Sequence, residues 1–197
     1  MGAVQPTLLD LLPAAPMLPT KKAAARRKRR PRPTVAATAP VEYATGVDAE
    51  GNTTWTLRFP APAEMLSVNG NPHWRRTSPV RKTWREAVFV HAKAAKLPVG
   101  LAKVRIDVQL RFPTNGRRDA ANYHSNVIKP LVDAYGPSIN TVRAGRAIVA
   151  PGYGLIADDT AEFLEGPFVV LGPKVADPKA CPFGEVLIKI TELEPAP

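Results

Sequence analysis

Between residues 103 and 112 the chain alternates without a break. Val104, Ile106, Val108, Leu110 and Phe112 are apolar, and Lys103, Arg105, Asp107, Gln109 and Arg111 between them are polar or charged. A period of two over this length specifies a β-strand with one face in a core and the other toward solvent or ligand. A one-residue slip would exchange the faces, so the register is fixed. Other segments must cover the apolar face. Trp55, Leu57 and Phe59 alternate with Thr54, Thr56 and Arg58 and predict a second strand, ended by Pro60 and Pro62. Trp84, Ala87, Val88, His91 and Ala95 recur at helical spacing, while Arg81, Lys82, Arg85 and Lys93 face elsewhere. This helix is expected to start with Ser78 as N-cap and Pro79 at the first helical position. A second helix is expected from Ser125 or Asn126 to Ala134–Tyr135, because Pro130 is tolerated only in a first turn. Residues 137–154, which include Arg143 and Arg146, read as a long functional loop. Phe168–Leu171 and Val186–Ile190 read as the last strands. The order predicts one α+β domain with helices packed on one face of a sheet.

Charge and proline divide the 197 residues unevenly. Residues 1–40 hold seven of the 22 prolines and no aromatic side chain. They carry eight basic residues and one acid, hence +7 of the net +10. Such a segment buries too little apolar surface to offset its ordering entropy, so 1–40 is expected to be a disordered basic tail and 41–197 the folded domain. A basic arm on a basic body suits a polyanion, and the run from Lys21 to Arg32 fits a phosphate backbone. One cysteine excludes an intramolecular disulfide framework and a multi-cysteine zinc site. With no apolar stretch of transmembrane length and no basic n-region at the start, the expected compartment is the cytoplasm.

Nucleophile readings are weak. Cys181 lies between Ala180 and Pro182 with no histidine nearby in sequence. His73, His91 and His124 lack metal-ligand spacing, and His91 falls on the apolar helix face as a core imidazole would. No Gly-rich phosphate or dinucleotide fingerprint is present. The carboxylates say more. Asp119 follows Arg117 and Arg118 after the alternating strand, and Asp158 and Asp159 follow the long loop. Acids in loops among basic side chains suit a divalent metal at a phosphate, since Mg²⁺ uses one or two carboxylates, waters and the substrate's own oxygens. Lys129 is placed to meet a phosphate or leaving oxygen as a point charge. Asp133, four residues on, shares its helix face. Taken singly, each acid also fits a turn, a cap or a surface pair.

Together these residues form an ordered set: Arg117-Arg118-Asp119-x-x-Asn122, Lys129-x-x-x-Asp133-Ala134 and Gly154-Leu-Ile-Ala-Asp158-Asp159-Thr160. The set resembles the RusA family of Holliday-junction resolvases, small DNA endonucleases of bacteriophages and prophages that act in DNA recombination and repair. Ser67-x-Asn69-x-Asn71-x-x-Trp74 resembles the family's Asn-bearing loop, and Gly184–Ile190 its final strand. The resemblance spans about residues 54–192. It implies a small mixed sheet, a homodimer, and Mg²⁺-dependent (or Mn²⁺-dependent) paired nicking of a four-way junction. It implies Asp119 and Asp159 as metal ligands, and Asp158, Asn122 or water is the candidate to complete a site that lacks one family acid. Asp119, Lys129 and Asp159 would be catalytic, with Asn122 and Asp133 in support. Arg75, Arg76, Arg117, Arg118, Arg143 and Arg146 would contact DNA. A C₂ dimer would present two equivalent sites to two equivalent strands.

The chain departs from the family at Ala121, where better-studied members carry a second acid, and its spacing from Asn122 to Lys129 is about one helical turn longer. Ala121 keeps open a different class, a non-catalytic junction-binding protein on the same fold. His124 is an alternative ligand for the missing acid. A basic scaffold protein would leave the acid, Asn and Lys set unexplained. In the tail, Leu8–Leu12 loosely resembles short Leu-rich motifs that bind bacterial sliding clamps, without their glutamine and aromatic in register.

Overall fold

The structure, a computed structural model, describes residues 41–143 and 146–194, with the side chains of Arg143 and Arg146 outside the description. The expected tail, its basic run and Leu8–Leu12 lie outside the described residues.

Five strands form one mixed sheet. They are β1 (Glu42–Val47), β2 (Thr53–Pro60), β3 (Lys103–Arg111), β6 (Leu164–Leu171) and β7 (Glu185–Leu193), in the order β1-β2-β7-β3-β6. Only the β3–β6 pair is parallel. The alternation predicted for β3 is realised: Val104, Ile106, Val108 and Leu110 are buried and the residues between them are half-buried. Leu57 and Phe59 of β2, and Val186, Ile188 and Ile190 of β7, share that face. Helices cover it, through Trp84, Val88 and Ala92 of α1 (Trp74–Ala94) and Leu131 and Val132 of α2 (Lys129–Asp133). The expected α+β plan therefore holds. β1 was not foreseen, because all six of its residues are exposed and it carries no core signal.

Three local expectations are corrected. First, α1 starts at Trp74, not at Pro79. His73 caps it, its Nδ1 accepting the Arg75 N–H at 3.2 Å, and Pro79 lies inside the helix with an exposed ring. Second, helical backbone begins before Ser125. A 3₁₀ turn over Ala120–Tyr123 runs into a π turn over His124–Ile128 and then into α2. The Lys129 N–H reaches back to the His124 carbonyl, five residues away. The widened turn meets Pro130, which has no N–H to give, without breaking the run. Third, residues 137–154 are not an open loop. β4 (Ile139–Arg143) and β5 (Arg146–Ala150) pair as an antiparallel hairpin with Arg143 opposite Arg146 at its tip.

His91 stacks on Phe59 at 4.0 Å between ring centroids, and the Tyr43 hydroxyl lies 2.7 Å from its Nδ1. Burial pushes its pKa from 6.5 down to about 4. The unfolded chain then binds a proton below pH 6.5 that the folded chain refuses until about pH 4. Stability should fall as pH drops through that window, by about 2 kcal/mol once solvent screening of the half-exposed ring is allowed for. Urea midpoints at pH 7 and 4.5 for wild type and His91→Phe test this. The wild type should lose more than the variant, and equal losses would refute it.

Candidate functional site

The site forms where α2, the irregular segment 151–159 and α1 meet. Lys129, at the junction of the π turn and α2, donates to Asp133 Oδ1 at 2.8 Å one turn along the helix. It also donates to Asp159 Oδ2. These three come from the two segments that sequence reasoning singled out, 30 residues apart.

Backbone pairing delivers Asp159 to this place. The N–H groups of Tyr153, Gly154 and Leu155 donate to the carbonyls of Ala134, Gly136 and Tyr135, so the segment runs along the end of α2 and satisfies carbonyls the helix leaves open. On its other side, Gly100 and Leu101 donate to Gly154 and Leu155, which ties the segment to the start of β3. The close approach requires glycine at 152: a Cβ there would lie 2.3 Å from the Pro137 carbonyl oxygen. Asp158 and Asp159 then turn out exposed, with Asp158 Oδ1 accepting the Asp159 N–H at 2.7 Å.

The charges reinforce one another. Hydrogen bonds to Asp133 and then Asp159 raise the Lys129 pKa, so it stays an ammonium. The Lys129 hydrogen bond holds the Asp159 carboxyl below its ordinary range, so it stays ionised. Lys129 and Asp159 therefore offer fixed charges rather than a proton donor at neutral pH.

The other expected residues divide. Asp119 is exposed and caps the 3₁₀ turn, its Oδ1 accepting the Ala121 N–H at 3.0 Å. Asn122 is half-buried, and its N–H donates to the Asp119 carbonyl. Neither bonds the Lys129 trio. Ala121 and His124 are exposed. Arg118 closes the turn after β3: it donates to the Thr114 and Gly116 carbonyls and lies 4.3 Å from the Phe112 ring centre. Arg76 pairs with Glu64 at 2.6 Å. Arg75 lies over the exposed Trp74 ring at 5.5 Å, and Arg117 is exposed. Cys181 is buried, and burial raises its thiol pKa, as an inert cysteine requires.

Sequence reasoning missed Asn126, Arg81 and Arg85. Asn126 is buried, its Nδ2 donating to the Leu66 carbonyl and its Oδ1 accepting from Arg81 Nε and Nη2 at 3.1 and 2.9 Å. Arg85 donates to the carbonyls of Asp133 and Pro151, both at 3.0 Å. These arginines pin α1 to the π turn, to α2 and to the end of β5. Sequence read them as facing away from the core, which is true, but the side they face is the site.

Among the described residues, no group of three or more His, Cys, Asp or Glu side chains is arranged to hold a metal ion. Asp158 and Asp159 are adjacent exposed carboxylates, the donor type that a hard cation keeping most of its waters takes. Among the described residues no helix is long and apolar enough to cross a membrane. No protein-family model matches the chain, and no curated protein matches it.

Proposed function

We propose that this chain is a RusA-like, metal-dependent endonuclease that hydrolyses phosphodiester bonds in branched DNA, acting as a homodimer on four-way junctions. The observation that carries this reading is the meeting of Lys129, Asp133 and Asp159 beside a cleft lined by Arg81, Lys82 and Arg85. An ionised carboxylate, a fixed ammonium and a basic wall suit a phosphate that gains charge during displacement. Lys129 would stabilise the developing negative charge on a non-bridging or leaving oxygen, and Asp133 would keep its Nζ aimed. Asp159, with Asp158, would hold Mg²⁺ or Mn²⁺. Such a cation supplies charge neutralisation at phosphorus and lowers the pKa of water. Overall, water adds to phosphorus, the P–O bond to the leaving sugar breaks, and the leaving oxygen takes a proton.

A second reading is a non-catalytic branched-DNA-binding protein on the same fold. It is favoured by Ala121, and by Asp119 standing apart from the Lys129 trio in its contacts. One experiment separates the two. A synthetic four-way junction and a matching linear duplex are incubated with the protein in Mg²⁺, Mn²⁺ or EDTA. Metal-dependent nicking of the junction alone is expected. Junction binding without cleavage in either metal would establish the second reading.

A further inference from the structure

The cleft beside Lys129 has two unlike walls. Arg81, Lys82 and Arg85 of α1 form one, with Lys129 between the walls. The other is built by β5, where Ile148 and Val149, 46% and 61% exposed, both line the cleft; adjacent strand side chains point to opposite faces, so one lines it through its apolar side chain and the other through its backbone. The cleft encloses about 390 Å³, toward the lower end of the roughly 300–1,000 Å³ of small-ligand sites. Four basic side chains line it against two acids, Glu86 and Asp133. Two of the bases are held in place. Arg81 spends Nε and Nη2 on buried Asn126, and Arg85 spends the same pair on two carbonyls. Bonds of this kind fix the guanidinium planes before any ligand arrives, which lowers the ordering cost of binding. The apolar wall is harder to explain as structure alone. The hairpin exposes Val142 as well as Ile148 and Val149, so it carries apolar surface that folding leaves in water.

A flat apolar group with an attached anion satisfies both walls. A bare phosphate leaves the β5 wall unused. We propose that the cleft takes one unpaired nucleotide of branched DNA, its base against Ile148 and Val149 and its phosphate on Arg81, Lys82 and Arg85. This rests on the DNA-cleaving reading of the same site and adds the source of its preference for branches. Extruding a base from intact duplex costs stacking and pairing, and a branch point has lost part of both already. The β4–β5 hairpin is then the element that selects the substrate, and it sets the nucleotide next to the phosphate offered to Lys129.

The test uses an immobile four-way junction with 2-aminopurine at each position flanking the branch in turn, bound in EDTA. This reporter brightens when unstacked. Wild type should brighten it at one pair of symmetry-related positions on opposing strands. The double variant Ile148→Ser/Val149→Ser should lose the signal, and its preference for junction over duplex should fall about tenfold, the effect of one lost aliphatic contact with the base. Both residues are exposed, so the fold is preserved. Lys82→Glu, also at an exposed position, tests the phosphate wall separately and should weaken junction binding more than duplex binding. Junction binding with no brightening anywhere, or brightening kept in the double variant, overturns the nucleotide site and leaves the cleavage reading standing. The expected signals without cleavage in Mg²⁺ or Mn²⁺ support the site and overturn the enzymatic reading.

Discussion

Asp159→Asn is expected to lower junction cleavage by about 10²–10³-fold while leaving junction binding equal or tighter. The substitution keeps the shape of the side chain and removes its charge. Lys129 retains its 2.8 Å bond to Asp133, so the ammonium stays near its place. On the proposed reading, what is lost is an ionised oxygen donor for the cation at the phosphate, together with one negative charge that would repel the backbone. Because Lys129 holds the Asp159 carboxyl below its ordinary range, the wild-type residue is already ionised in mildly acidic solution. The loss should therefore be the same from about pH 6 to pH 8, since no titration of Asp159 falls in that range. Single-turnover cleavage across that range, with binding measured by mobility shift, checks both statements. A variant that cuts at the wild-type rate refutes the role of Asp159.

The second large effect concerns stability. Glu185 is buried at the start of β7 and bridges two strands. Its carboxylate accepts from Arg58 Nε at 2.8 Å on β2 and from Arg111 Nη1 at 2.6 Å on β3. Glu185→Ala leaves the partly buried Arg111 without its anion and Arg58 with only the exposed Glu42 at 3.3 Å, which costs about 3 kcal/mol. For a domain of this size that lowers Tm by roughly 6–12 °C. Glu185→Gln keeps an acceptor for one arginine and should cost less. The residue before it offers no slack: Gly184 has φ +105°, and a Cβ there would sit 2.3 Å from the Arg111 carbonyl oxygen. The cluster anchors the end of β3, from which the chain leaves for Asp119. Thermal unfolding followed by far-UV circular dichroism reads the effect. A Tm within about 2 °C of wild type for Glu185→Ala would show that the bridge is not stabilising.

The parts of this fold legible in sequence are those whose burial is one-sided. β3 alternates because one face is core, and Trp84 and Val88 keep helical spacing because one stripe of α1 is core. β1 and the β4–β5 hairpin escape because their residues are largely exposed on both faces, so no period marks them. Pro79 misled, since it was read as the first helical position and is carried inside α1. Pro130 does lie in the first turn of α2, as expected, but the π turn before it, which depends on tertiary packing of Val127 and Ile128, had no sequence signal. In the site, Lys129 and Asp133 were legible as a helical i, i+4 pair. The bond from Lys129 to Asp159 was not, since it depends on residues 153–155 pairing with the end of α2. Arg81 and Arg85 were assigned to the side away from the core, correctly, but only the folded chain shows that the π turn and β5 border that side.

The most direct test of the Lys129–Asp159 centre is strand-resolved, single-turnover cleavage. A four-way junction labelled on each strand in turn is cut in Mg²⁺ by wild type and by Lys129→Met, which keeps the length of the side chain and removes its charge. Wild type should nick two opposing strands at symmetric positions, and Lys129→Met should bind the junction and leave all four strands intact. Symmetric nicks from Lys129→Met at the wild-type rate would contradict the account.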